Sequence, residues 1–422
     1  MTMDTTLSLG LGCVVIFACT GGSVRATGLT SNSNSERFVV SDTQQLDCPR
    51  GEFAGFDFSR DYFLVSSAWR PPLEMNLASS DFSDASFVRS TLEVSFSSTG
   101  TDVLRIMNFD MSDFTGADFT RARFSPELGT GRRISTIVSF NGAEMDKAIF
   151  TEATLEPKAN TGSENTSAVE FRGASLVAAD FSNAIFNPRI GNGVENRAVV
   201  DFSAADLTGA EFSGAQFRPY VSVGVGNRAS IDFNGATLDG AIFSNATFTL
   251  TNIDPNNFST VDFGDASLRG VDFTGAAIEL GPGIPNLGQT LDFSGANLVG
   301  ANLSSLNLEQ LRFDQTIFSE STVFPSNFDP FAHPGLILRP DQVLQPISSI
   351  FRTPTGQFRI TMPPVYGRRI GIEYSPDMSS ESWIELGNFD LEGSEAVFVD
   401  PDLVRQSRNA GYYRAFLREL VR

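Results

Sequence analysis

Across 422 residues the chain carries a formal net charge of −20 and a pI near 4.4, and Lys147 and Lys158 are its only lysines; such a surface repels nucleic acid and anionic membranes. His333 is the only histidine, which argues against imidazole-based hydrolase triads and most zinc sites, and Cys13, Cys19 and Cys48 show no paired metal-ligand spacing. The 38 Phe against 6 Tyr and 2 Trp suit a core that repeats one apolar position.

The apolar run at 7–22 is too short and too Gly-rich for a membrane span, and Val24 and Ala26 are small enough for a signal-peptidase site. Residues 1–26 are therefore expected to be a signal peptide, although the stretch before the run has Asp4 and no Lys or Arg. Ile16-Phe17-Ala18-Cys19 offers a lipoprotein signal as the second route of export. Residues 27–45 are expected to form a polar tail and cap.

From there an apolar residue recurs every five positions. Val200–Phe217 places Phe202, Leu207, Phe212 and Phe217 at strict five-residue spacing, with Ala205, Ala210 and Ala215 two positions before the last three. After about ten residues the pattern resumes at Phe233, Leu238, Phe243 and Phe248, then at Phe263, Leu268, Phe273 and Ile278, and finally runs from Phe293 to Phe318. The earlier blocks start at Cys48, Leu77, Phe109, Phe140 and Phe171. A five-residue repeat nested inside one of roughly thirty is the signature of a solenoid.

Ala296-Asn297-Leu298-Val299-Gly300 and Ala301-Asn302-Leu303 carry the resemblance that names the pattern: the stretch Leu46–Phe324 resembles the pentapeptide-repeat family. The resemblance implies a right-handed quadrilateral β-helix with four pentapeptides per turn, within an all-β chain. It departs from most members in the excursion after every fourth pentapeptide. With blocks stacked at the strand spacing of about 4.8 Å, about nine coils give a rod of roughly 45 Å. One inward column is then an unbroken ladder of Phe109, Phe140, Phe171, Phe202, Phe233, Phe263 and Phe293, and the next is mostly Leu. Cys48 falls inside on this register, as a buried thiol.

Each excursion re-enters through an apolar residue two before the ladder Phe (Val169, Val200, Ile231, Val261), which predicts a strand. Gly191-Asn192-Gly193 and Gly224-Val225-Gly226-Asn227 predict turns. One hairpin or loop per coil, leaving from one corner, should stack into a flange. Asn165, Asn196, Asn227 and Asn257 fall in phase, and an amide ladder or shared turn position accounts for them without a ligand.

Breakers such as Asp329-Pro330 and His333-Pro334-Gly335 end the period, so the helix domain is drawn at 46–325 and a linker at 326–345. Alternating strands at Gln357–Met362, Gly371–Tyr374, Trp383–Leu386, Ala396–Val399 and Tyr412–Leu417 predict a small antiparallel β-sandwich over 346–422. With Tyr374-Ser375-Pro376-Asp377, Trp383, the Val399–Asp402 turn and the closing Tyr412-Tyr413-Arg414, this segment resembles a C-terminal β-sandwich module of secreted bacterial proteins, one with no chemistry to transfer.

Asp201, Asp232, Asp262 and Asp292 form the sharpest polar column. A cation could relieve stacked carboxylates, yet calcium needs six or more converging oxygens, and turn hydrogen bonds explain the column better. Thr151, Ser182, Ser213, Ser244 and Thr274 stack similarly, but mixed neighbours deny them a flat ice- or sugar-binding array. No catalytic, cofactor-binding or metal residue is singled out. The expectation is an exported, non-catalytic structural or protein-interaction scaffold with a protein or cell-surface partner. The alternatives are a DNA-mimicking inhibitor of a protein such as gyrase, as some members of the family are, and a polysaccharide-acting β-helix enzyme.

Overall fold

The unit of the structure, a computed structural model, is a single turn of chain. In Phe202-Ser203-Ala204-Ala205 the Ala205 N–H donates to the Phe202 carbonyl at 3.0 Å, and Ala204 sits at φ 56°. Positive φ at the third residue is the mark of a type II turn, which explains why Gly occupies the same place at Gly209, Gly214, Gly235 and Gly240. The side chain before each turn closes it from outside: Asp201 Oδ1 accepts from the Ser203 N–H at 3.0 Å, and Asp206 Oδ1 from the Thr208 N–H at 3.0 Å. Core residue, corner turn and small residue thus complete one side of a square within five residues.

The structure describes residues 37–40, 46–47, 49–66, 73–96, 99–280 and 288–338, and beyond them the strands 344–345, 349–352, 358–362, 368–375, 384–390, 396–399 and 412–420. The expected signal peptide, Cys13, Cys19 and Cys48, most of the tail, Trp383 and the 400–402 part of the Val399–Asp402 turn lie outside the described residues. The chain divides into two units, Met1–Phe318 with Thr322–Ile337, and Ser319–Ser321 with Leu338–Arg422.

The first unit is a four-sided parallel β-solenoid. Blocks stack in register, with Asp201 opposite Asp232, Asp232 opposite Asp262, and Asp262 opposite Asp292. Ten strands joined this way form one sheet along the solenoid. The interior is the expected apolar column set, buried throughout. Phe202 stacks on Phe233 at 5.1 Å and Phe233 on Phe263 at 4.9 Å, with ring planes within 5°. The third column is also phenylalanine, with Phe181, Phe212 and Phe243 stacked at 5.0 and 4.6 Å. It meets the first edge to face, Phe212 standing at 90° to Phe233. The fourth side carries a further ladder, with Phe186, Phe217 and Phe248 stacked at 4.8 Å, and the leucines of the second side leave room for all three.

The excursions stack as expected, but not as hairpins. Outgoing strands Lys158–Ala159, Arg189–Ile190 and Tyr220–Val221 pair in parallel with one another, and returning strands Thr166–Glu170, Arg197–Asp201 and Arg228–Asp232 do the same in a different sheet. Among the described residues the two limbs of an excursion do not pair with each other. They enclose a second core of Phe96, Val103, Leu128, Ile134, Ala159, Ile190, Ala198, Val221 and Ala229. The result is a two-layered flange.

Residues 322–337, partly expected as linker, fold with the solenoid. The Thr316 N–H donates to the Gly335 carbonyl at 3.0 Å, and the His333 ring stands edge-on to Phe313 at 5.4 Å. The second unit contains two antiparallel sheets. In one, Arg368–Ser375 lies between Ile384–Asp390 and Tyr412–Leu420, with Leu344–Gln345 on the far side of the latter. In the other, Phe358–Met362 lies between Ser349–Arg352 and Ala396–Val399.

Candidate functional site

Four successive excursions of the flange each turn at a buried asparagine. The Asn196 Oδ1 accepts from the Asn165 N–H at 3.1 Å, Asn227 from Asn196 at 3.0 Å, and Asn257 from Asn227 at 3.0 Å. Their amide groups donate back to turn carbonyls, Asn227 Nδ2 to Gly193 at 3.0 Å. This is the expected amide ladder. It packs so tightly that a Cβ on Gly224, at φ 127°, would lie 2.1 Å from the Gly193 oxygen.

Beyond the ladder the flange rim is apolar and open. Val194, Val223, Val225 and Ile253 are 43–55% exposed, and Val194 and Val225 are bridged neighbours on successive excursions. These exposed apolar side chains recur at successive turns of an otherwise polar surface. The sequence offers the flange as the best candidate for a partner surface, but it does not single out these exposed residues, which read there only as parts of turns.

The outer face of the outgoing strands has a different character. Outward positions alternate with the flange core, so Arg218, Tyr220 and Ser222 face out while Pro219 and Val221 are buried. On the neighbouring coils Lys158 and Arg189 stand in register with Tyr220, followed by Thr251. The Arg189 guanidinium lies over the Tyr220 ring, 4.9 Å from its centroid. On the opposite face Arg228 lies over Phe258 at 4.5 Å, with Arg197 its neighbour in register.

The acidic column is placed as expected along one side of the solenoid. Each carboxylate spends one oxygen on its own turn, Asp232 on the Asn234 N–H at 3.0 Å and Asp262 on the Gly264 N–H at 2.8 Å. Arg172 pairs with the buried Asp201 at 2.6 Å, and Arg312 with Asp292 at 3.3 Å. Burial, with repulsion from Asp201 and Asp262, pushes the Asp232 carboxyl above its ordinary value despite the turn bond. Burial and the charges of Asp292 and Asp265 do the same to Asp262. Asp262, Asp265, Asp292 and Asp314 line a shallow cavity of ≈ 310 Å³. Among the described residues no group of three or more His, Cys, Asp or Glu is placed to hold a metal ion.

The hydroxyl column is consumed locally. Thr274 Oγ1 donates to Asp272 at 2.5 Å, Ser304 to Asn302 at 2.7 Å, and Thr151 to Asp180 at 2.9 Å. Burial would raise the Asp272 carboxyl, but hydrogen bonds from Thr274, Ser244 and Asn302 outweigh it and hold the group low. The lone His333 accepts from the Gly335 N–H through Nδ1 at 3.2 Å, a structural role within the end of the solenoid.

The five-residue repeats that build the solenoid are similar to pentapeptide repeats, and the fold of the first unit is the parallel β-solenoid found in such proteins. The family model described as pentapeptide repeats matches eight copies, at residues 200–218 and 291–320. Among solved structures, a trypsin-treated variant of QnrB1, a plasmid-mediated fluoroquinolone resistance protein, is similar over 73% of this chain and 92% of its own, at 17% identity and TM-score 0.20. HetL, a pentapeptide repeat protein involved in heterocyst differentiation regulation in the cyanobacterium Nostoc, is similar over 69% and 93%, at 15% identity and TM-score 0.18. A third, the Nostoc pentapeptide repeat protein alr5209, is similar over 40% and 84%, at 21% identity and TM-score 0.11. No curated protein matches the chain.

Proposed function

We propose that the chain is an exported, non-catalytic scaffold: a β-helix that holds a flange outward and presents the flange rim to a protein partner at the cell surface or outside it. The observation that carries this reading is the rim, where Val194, Val223, Val225 and Ile253 stay exposed although a second apolar core lies just beneath them. Holding apolar side chains in water on a framework fixed by the amide ladder favours docking a partner over packing the protein itself. The hydrogen bonds that occupy the acidic and hydroxyl columns support a non-catalytic role, because those side chains already have structural work. Export rests on residues 1–26, and the two C-terminal sheets are proposed to close into the small sandwich of a secreted protein.

The intact mass of the protein from its native cell, with its fraction noted, tests the export. A mature chain beginning at Thr27 outside the cytoplasm supports it, and a lipidated Cys19 places it on a membrane. A photoreactive residue at position 225 tests the rim: a defined protein adduct, lost in Val223→Asp, is expected, and its absence refutes the surface.

The second reading is a DNA-mimicking inhibitor of a DNA-binding protein such as gyrase, favoured by the column Asp201, Asp232, Asp262 and Asp292 with its in-register spacing. An uncleaved chain in the cytoplasm would put that reading first.

A further inference from the structure

The broad face of the outgoing strands carries chemistry that neither the rim nor the scaffold role uses. We propose that this face binds an anionic polysaccharide, with sugar carboxylates on Arg189 and Arg218 and a sugar ring beside Tyr220. The inference goes beyond the scaffold reading, since it requires neither export nor a protein at the rim.

Charge is the first argument. The chain has 50 acidic residues against 30 basic ones, yet the excursion from Arg218 to Ile231 contains two arginines and no acid. Arg189 and Arg218 are exposed, and neither makes an ion pair among the described residues. The carboxylates bordering the face are already engaged: Glu156 with Arg123, Lys158 and Asn187, and Glu127 with Asn160. Glu279, on the far side, accepts from Thr249. Two unneutralised guanidinium groups are therefore offered to solvent on an otherwise acidic molecule, which is a field that gathers anions.

Geometry is the second. The face is a parallel sheet in register, so its outward residues form a lattice with rows about 4.8 Å apart and positions about 6.6 Å apart along a strand. One row spacing is close to the advance of one sugar unit in an extended chain. Arg189 and Arg218 lie on adjacent rows and adjacent columns, so two anionic groups on successive units can each meet a planar fork of donors. Tyr220, half-buried between them, supplies an apolar ring edge, and Ser222 and Thr251 supply hydroxyls along the same face. An acidic peptide would match the charge but not the alternation of guanidinium with hydroxyl.

The test is calorimetric titration of the full chain with polygalacturonate oligomers at low salt, beside neutral dextran and poly-glutamate. Binding of polygalacturonate alone, weakening as salt is raised, is expected. The variant Arg189→Ala with Arg218→Ala should lose about tenfold or more in affinity, and Tyr220→Ala several-fold. Arg197→Ala with Arg228→Ala, on the opposite face, should bind as the parent does, and so should Val223→Asp at the rim. All of these positions are at the surface, and unchanged melting verifies that each variant is folded. No binding of polygalacturonate, equal binding by the Arg189→Ala, Arg218→Ala variant, or equal binding of poly-glutamate would each overturn the proposal.

Discussion

At the scale of the residue, two positions of the pentapeptide do most of the structural work. The central apolar residue is stacked on its counterparts above and below, so Phe233→Ala removes ring contacts with Phe202 and Phe263 together. The neighbouring rings are held by their own coils and cannot collapse into the space. The expected loss is about 3–5 kcal/mol, read from chemical denaturation. The second position is the left-handed turn residue. Ala204 sits at φ 56° where Gly209 and Gly214 serve on the following sides. An L side chain there costs about 1–2 kcal/mol, partly offset by the greater chain entropy of glycine. Ala204→Gly is accordingly expected to stabilise the protein by roughly 0.5–1 kcal/mol, and a lower melting temperature would show that the turn tolerates a Cβ without strain.

At the scale of the element, the flange depends on the amide ladder rather than on its apolar content. Asn196 is 1% exposed, accepts from Asn165 and donates to the Gly162 carbonyl at 3.2 Å. Asn196→Ala leaves the buried Asn165 N–H unpaired, at a cost of about 1–3 kcal/mol, while the Gly162 carbonyl keeps its bond from the Val194 N–H. Because the flange has its own core, the damage should stay local: faster amide exchange and proteolysis at 187–197, with the aromatic ladder still protected. Global unfolding without that local phase would mean that flange and solenoid fold as one unit. The prolines 157, 188 and 219 are in register and split the outgoing limb, as the missing N–H requires. In the structure they separate the inner side of the square from the outward strand.

At the scale of the whole molecule, the acidic column makes the fold respond to pH. Asp232 and Asp262 have carboxyls raised in the folded state, so their contribution is fully present below the unfolded value and is lost as pH rises through the folded one. Stability should therefore increase as the pH falls from neutrality toward the ordinary aspartate range. Asp272 works in the opposite sense: its lowered carboxyl favours the fold above its unfolded value, and that contribution is lost only at more acid pH. Asp262→Asn keeps an oxygen for the Gly264 N–H and removes the charge. It should raise the melting temperature at pH 7 by roughly 2 °C and flatten the pH profile. An unchanged profile would show that Arg312 and solvent already neutralise the column.

The sequence alone determined the solenoid, its inward columns and the stacking of the excursions, because a strict five-residue period leaves one way to bury every Phe and Leu. It also placed Asn165, Asn196, Asn227 and Asn257 in phase, from which a ladder follows. What only the tertiary structure decided is how the limbs of each excursion partner. A strand can pair with its own return or with the coil next to it, and local sequence is compatible with both. Pairing between coils won, since it continues the parallel register of the solenoid and closes a second core between the two sheets. That choice brings Arg189, from the preceding coil, beside Arg218 and Tyr220 on one face, and it leaves Val194, Val223, Val225 and Ile253 together at the rim.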